Sequence, residues 1–439
     1  MGQLFERYEP DQGLLLPPSL DDWLPEGHLA RFIGDTVDQL DLKPFFAKYK
    51  GRGDGRGRIA FHPSMMLKVL IYGYCRGIFS SRKTAEGIDE LVPLRYLAAG
   101  NRPSHRTIAR FRLENLEHFE GVFVQVVQIA QQAGLVKMGT IAIDGSKVKA
   151  NASKHKAMSY GRMTEKEKVL RKEIRRMTEL ARTTDEAEDG EFGPDFRGDE
   201  LPQEMQRRKD RLRIIKEAKK RLEEEQAQED AESGRGEYHE QTGRGRKPER
   251  ARGVPEDKKQ SNFTDPESRI MKTSRGFEQC YNGQIAVDSA EQIIVAANVG
   301  QCAADSRELI PTEEEAEKNT GRKPARVLAD AGYKSEENFR ALEKKKIEGL
   351  ISMGKEGRSA TPGKAGPASA RMATKLRTKL GRKRYKRRKA IVEPVFGWIK
   401  QAIGFRSFSL RGIEKVGAEW NMICLAINLR RMHGKLTWT

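Results

Sequence analysis

The spacing of apolar residues changes period along this chain. From Pro63 to about Leu135 apolar positions recur at helical spacing. Ser64 is a candidate cap for a helix carrying Met65, Leu67, Val69, Leu70 and Tyr72, Ser81 starts a second through Glu90, and Gly121 to Leu135 forms a later one. His28 to Leu40 predicts an earlier helix, and the GRGDGRGR stretch at 51–58 reads as a flexible basic connector. Asn101-Arg102-Pro103-Ser104 breaks the pattern before a helix whose early exposed face offers His105, Arg106, Arg110 and Arg112. Short helices, a break and a basic last helix suit helix-turn-helix docking on DNA. Any three-helix bundle with charged solvent faces has the same pattern.

At Thr140 the period shortens. Thr140-Ile141-Ala142-Ile143-Asp144-Gly145-Ser146 reads as a strand delivering an acid at its end, or else as a strand closing in an Asp-Gly hairpin turn. Residues 155–260 look inserted. Leu170, Ile174 and Met177, then Met205, Leu212, Ile215 and Leu222, predict two antiparallel helices joined by a breaker-rich bend at 190–202, and 226–260 is too polar to be ordered. Beyond it Tyr281, Ile285 and Val287 alternate with Asn282, Gln284 and Asp288, predicting a half-exposed strand, and Ile293 to Val299 a buried one. A helix over Ser306–Glu317, a strand over Ala325–Ala329, a helix over Ser335–Lys345 and a strand over Ile347–Ser352 complete a mixed α/β sheet. Asp330 follows the third of these strands and precedes a glycine at one remove, as Asp144 ends its own strand; α/β sheets build sites at such strand ends, although each Asp could equally form a turn. The expected division is a helical domain at 1–135, the first part of an α/β domain at 136–154, the insertion at 155–260, and the rest of the α/β domain with basic C-terminal helices at 261–439.

Composition adds a partner. The 439 residues leave room for two or three domains, but with 37% hydrophobic against 33% charged residues and a mean hydropathy of −0.72, some long segment must be solvated. A net charge of +19 and a pI near 9.7 favour a polyanion, nucleic acid first and an anionic membrane surface second. No apolar run approaches the ~18 residues needed to cross a bilayer, and the start MGQLFERYEP lacks the pattern of a secretory signal, so the expected place is the cytoplasm or nucleoid. Cys75, Cys280, Cys302 and Cys424 are scattered and form no CxxC pair, which points to buried free thiols rather than a zinc site.

The densest charge runs from Lys375 to Lys389, ten Lys or Arg in fifteen positions without an acid, and Glu393 follows it. Pro394 suits a first helical turn, placing Glu393 at a helix start, with Val395, Trp398, Ile399 and Ala402 as an apolar stripe and Lys400 two turns on from Glu393. A surface ion pair beside a solvated basic helix is the alternative. Asp144, Asp330 and Glu393 together make an oxygen ligand set for hard divalent cations, Mg²⁺ first and Mn²⁺ possible as its substitute. Two such ions would serve in-line displacement at phosphorus without a protein nucleophile.

The same residues carry a resemblance. FHPSMMLKVLIYGYCRG and RPSHRTIARFR, IAIDGSKVKANAS around Asp144, SNFTDPESRIMK and YNGQIAVD after the insertion, ADAGYKSEENF around Asp330 and YKRRKAIVEPVFGWIK around Glu393 resemble bacterial insertion-sequence DDE transposases of the IS-five and IS-eleven-eighty-two type. The resemblance spans nearly the whole chain and implies a ribonuclease H-like mixed sheet with flanking helices, preceded by an all-α DNA-binding domain. It implies that Asp144, Asp330 and Glu393 hold two Mg²⁺ ions. It also implies that the tyrosine, arginine, glutamate and lysine signature falls on Tyr385, Arg388, Glu393 and Lys400, with Lys389 standing where the pattern has its basic residue. The implied substrates are double-stranded DNA ends bearing inverted repeats and target DNA, handled by a homodimer that cuts strands and transfers them. Arg388, Lys389 and Lys400 would meet phosphates, and Trp398 would pack in the core or stack on a base. The rival readings are a metal-dependent nuclease that does not join strands and a non-catalytic DNA-binding protein.

Overall fold

A computed structural model describes residues 19–49, 60–192, 203–232, 251–354 and 366–436. The connector at 51–58 and most of the bend at 190–202 lie outside the described residues. The N-terminal part folds as helices α1 (Leu29–Asp38), α2 (Lys43–Ala47), α3 (Pro63–Cys75), α4 (Ser81–Glu90), α5 (Val92–Leu97), α6 (His105–Glu114) and α7 (Phe119–Gln132). Helix α3 is buried on nearly every side, as its all-round apolar sequence requires. Its first residue is Pro63, where the missing N–H costs nothing, so Ser64 does not cap it. The break before α6 is real: the Ser104 hydroxyl accepts from the Thr107 N–H at 3.3 Å.

Helix α3 is buried because the far end of the chain covers it. The C-terminal segment, expected to be basic, instead forms a helix whose middle, from Val416 to Leu429, is largely core. It packs on α3, on α7 and on the sheet. Arg430 near its end donates to the Cys75 carbonyl at 2.7 Å. Gly77, just after α3, has φ +74° and leaves only 2.5 Å between a would-be Cβ and the Ile403 carbonyl oxygen, so only glycine fits. One apolar core therefore runs from the N-terminal helices into the sheet.

The sheet is centred on β1 (Thr140–Lys149) and β5 (Gly276–Asp288). Strand β6 (Ile294–Gly300) and β4 (Arg269–Thr273) pair with β5, and β7 (Arg326–Ala329) and β8 (Glu348–Ile351) follow β1 on its other side. The order is β6-β5-β1-β7-β8, with β5 antiparallel to β1 and β6, and β7 and β8 parallel to β1. The half-exposed strand expected around residue 281 is buried on both faces: Asn282, Gln284 and Asp288 are fully covered. Alternation misleads here because those polar groups are bonded internally rather than to water. Helices α10 (Leu309–Thr320) and α11 (Glu336–Lys344) connect the strands close to their predicted places. They are followed by α12 (Pro367–Arg377), α13 (Lys379–Gly397) and α14 (Ile413–Leu436).

The insertion is the predicted helical hairpin, α8 (Tyr160–Phe192) and α9 (Gln203–Glu232), with its own small core of Tyr160, Met163, Leu170, Ile215, Ala218 and Leu222. The segment 226–260 is not without structure at its ends. Gln226 and Asp230 are buried within α9, and β3 (Gln260–Asn262) pairs with β2 (Ala157–Ser159); 233–250 lies outside the described residues. Three cysteines are buried free thiols, while Cys302 is exposed.

Candidate active site

Strand register brings the first two acids together. Ile143 pairs with Ala329 in the parallel β1–β7 ladder, so the next residues, Asp144 and Asp330, stand side by side as β7 ends. Neighbouring strands run about 4.8 Å apart. Gly145 N–H donates to Asp144 Oδ1 at 2.9 Å, and Gly332 N–H donates to Asp330 Oδ1 at 2.7 Å. Arg388 Nη1 meets Asp144 Oδ2 at 2.9 Å, both side chains being mostly buried. Burial pushes the Asp144 carboxyl up to about 6, with Arg388 pulling it down and the Asp330 charge adding to the rise. Asp144 lies inside β1 and does not form the Asp-Gly hairpin turn that its sequence allowed, whereas Asp330 does open a turn, accepting from Gly332 at the start of a single 3₁₀ turn.

Glu393 is placed differently from expectation. It lies inside α13, four residues before that helix ends, and Pro394 is internal to the helix rather than at its start. Proline at 394 has no N–H for the Ala390 carbonyl. Gln292 Nε2 donates to that carbonyl at 2.7 Å instead, which lets the helix continue. Just beyond, Trp398–Ala402 winds as a π-helix. The buried face of α13 carries Arg388, Ile391, Val392 and Val395. Five residues on from Arg388, Glu393 points about 140° round the helix from it and is exposed. No hydrogen bond or ion pair joins it to Asp144 or Asp330, and no three His, Cys, Asp or Glu side chains come close enough to hold a metal ion, among the described residues. Two hard oxygen donors side by side, with the Asp330 charge opposing the ionisation of Asp144, fit a divalent cation; Glu393 does not close the set here.

The basic signature residues separate in the same way. Arg388, expected at phosphate, is 8% exposed and faces Asp144. Lys389, four residues before Glu393, shares that residue's exposed side. Lys400 is half-buried with its ammonium 5.6 Å from the Phe396 ring centroid; burial lowers its pKa, against the pull of Asp144. Tyr385 and Trp398 pack partly buried against the core, and Arg430 and Arg431 stand over the Trp398 ring. On α6, Arg106 is exposed and Arg110 pairs with Glu114 at 2.7 Å. Arg112 turns inward to the Tyr74 hydroxyl and the Phe79 carbonyl and is not on the exposed face.

One acid at this site was missed. Asp305, after β6, accepts from Lys147 Nζ at 2.9 Å, Asn282 Nδ2 at 2.7 Å and Gln284 Nε2 at 3.0 Å, all on Oδ1. Its Oδ2 and Asp330 Oδ1 each lie 3.0 Å from where a Cβ on Gly332 would be, so the two carboxylates flank that glycine. The buried Tyr333 hydroxyl donates to Gln284 Oε1, and burial together with the charges of Asp305, Asp144 and Asp330 raises its pKa. The available signal was the pair of polar residues, Asn282 and Gln284, in an otherwise apolar strand.

Comparison with family models matches residues 18–114 to a transposase domain (DUF772) and residues 250–429 to a transposase DDE domain. Comparisons with curated proteins and with solved structures give no match. Asp330 and Glu393 lie inside the second matched segment; Asp144 lies in neither and reaches the site through the sheet.

Proposed function

We propose that this chain, a DNA transposase by its two transposase domains, binds insertion-sequence ends and cuts and transfers DNA strands at Asp144 and Asp330 with Glu393 as third carboxylate. The observation that carries the reading is the parallel register of β1 and β7, which sets two acids 186 residues apart in sequence against each other. The sheet order, with three antiparallel strands followed by two parallel ones, supports a ribonuclease H-like catalytic domain made of 136–154 and 261–439, served by the helical domain 1–135.

Asp144, Asp330 and Glu393 would hold Mg²⁺ or Mn²⁺, two ions in all, which when bound supply Lewis-acid activation and neutralise charge at phosphorus. The chain's own groups have separate tasks. Arg388 holds Asp144 oriented and favours its charged form. Lys389 and Lys400 neutralise strand phosphates near the acids, while Arg106 and Arg110 on α6 meet the duplex. Asp305 and Gln284 steady the turn that carries Asp330. Two copies would hold the two ends.

The test uses labelled element ends with Mn²⁺. Asp144→Ala, Asp330→Ala and Glu393→Ala should each abolish cutting and joining while leaving end binding within a few-fold. A variant that still cuts removes its residue from the catalytic set, and cutting without any joined product would favour the nuclease reading.

A further inference from the structure

Past the acids, β1 runs into a concave surface that the cutting chemistry does not use. A cavity of about 690 Å³ opens between the end of β1, the segment 150–156, the β4–β5 hairpin and the stretch around Ser407–Arg411. Its lining includes Lys149, Lys154, Lys156, Arg275, Arg411 and Phe277. Lys149 pairs with Glu278 at 3.3 Å, the one carboxylate in the lining. Arg411 gives its Nε to the Asn151 carbonyl at 2.9 Å. Lys154, Lys156 and Arg275 are exposed and have no ion-pair partner among the described residues.

A solvated basic rim alone would be unremarkable, but it does not explain the ring beside it. Phe277 is 62% exposed, the most exposed large apolar side chain among those described. It sits one residue after the hairpin's glycine, opposite Lys272 in the ladder. The hairpin sets its position: the Thr273 hydroxyl accepts from Arg275 N–H at 3.1 Å and donates to the Gly276 carbonyl at 3.0 Å, and Gly276 takes φ +105°. A bare phenyl ring amid cations matches a polyanion that carries flat apolar faces. In duplex DNA the base faces are covered by stacking; in a single strand they are free. Lys149 lies five residues past Asp144, about 17 Å along the strand, so a DNA strand leaving the acids along β1 enters this groove.

We propose that this groove binds unpaired DNA next to the cleavage point, its cations on the phosphates and Phe277 stacked on one base. The proposal rests on the transposase reading and adds a second, non-catalytic DNA site.

The test measures binding of the full chain, in EDTA so that nothing is cut, to a labelled blunt duplex and to the same duplex with a five-nucleotide single-stranded tail. The unmodified chain should prefer the tailed DNA by roughly tenfold, and Phe277→Ala should lose that preference with little change on the blunt duplex. Phe277→Trp should keep it, and a 2-aminopurine in the tail should be quenched by the unmodified chain and the Trp variant but not by the Ala variant. Lys154→Ala, Lys156→Ala and Arg275→Ala combined should reduce the salt slope for the tailed DNA by about 2. Equal binding of blunt and tailed DNA by the unmodified chain, or a tail preference that survives Phe277→Ala, overturns the groove assignment and leaves the transposase reading standing. No binding to either DNA overturns both.

Discussion

Replacing Gly145 by alanine tests whether the site is held as the structure shows. A Cβ there would lie 2.3 Å from Gln284 Nε2, 2.9 Å from Gln284 Cδ and 3.0 Å from Asn282 Oδ1. Both side chains are fully buried and cannot swing into water. To regain ordinary contact distance Nε2 must retreat by about 1 Å. That retreat takes it off Asp305 Oδ1, now at 3.0 Å, and pulls Oε1 away from the Tyr333 hydroxyl. Overpacking costs about 1–3 kcal/mol, and a broken buried hydrogen bond about 1–3 kcal/mol more. The expected loss is therefore about 2–6 kcal/mol, a fall of roughly 2–7 °C in melting temperature for a chain of this length. Scanning calorimetry measures the loss, and end cleavage at a temperature where the variant is folded should fall further than end binding, because Asp305, which Gln284 holds, and Asp330 flank the same glycine, Gly332. Gln284→Ala removes the obstacle, so Gly145→Ala should cost much less in that background. Unchanged melting with full cleavage, or equal cost in both backgrounds, would refute the reasoning.

The remaining expectations concern the neighbouring groups. Because burial raises Asp144 to about 6, its ionisation in the metal-free chain opposes folding; the penalty is absent below about pH 4, grows as pH rises and is complete above about pH 6. Between about pH 4.5 and 7.5 the unmodified chain should therefore lose on the order of 2 kcal/mol relative to Asp144→Asn, read from paired melting curves; parallel pH profiles would count against this. Gln292→Ala leaves the Ala390 carbonyl without the donor that replaces the N–H absent at Pro394, and should cost about 1 kcal/mol and speed amide exchange in the last turn of α13. Exchange no faster than in the unmodified chain would show that the carbonyl finds another partner.

The sequence by itself determined which elements exist and which residues could do chemistry. Period and capping located α4, α6, β1, β7 and the hairpin insertion, and the two strand-end acids were legible as candidates. Only the tertiary structure decided how those parts meet. Parallel pairing of β1 with β7 sets Asp144 beside Asp330, a relation between strands that no local pattern encodes. Gly145 read locally as half of a turn, yet its lack of a side chain serves the close approach of Gln284 from the neighbouring strand. Pro394 read as a helix start, yet Gln292, about a hundred residues away, supplies the bond that lets the helix pass through it. Arg388 and Lys389, adjacent in sequence and alike in charge, part because one helical step is 100°: one turns inward to Asp144 and the other faces solvent. Local patterns report what a residue can do alone, whereas burial and pairing depend on what the rest of the chain brings to it.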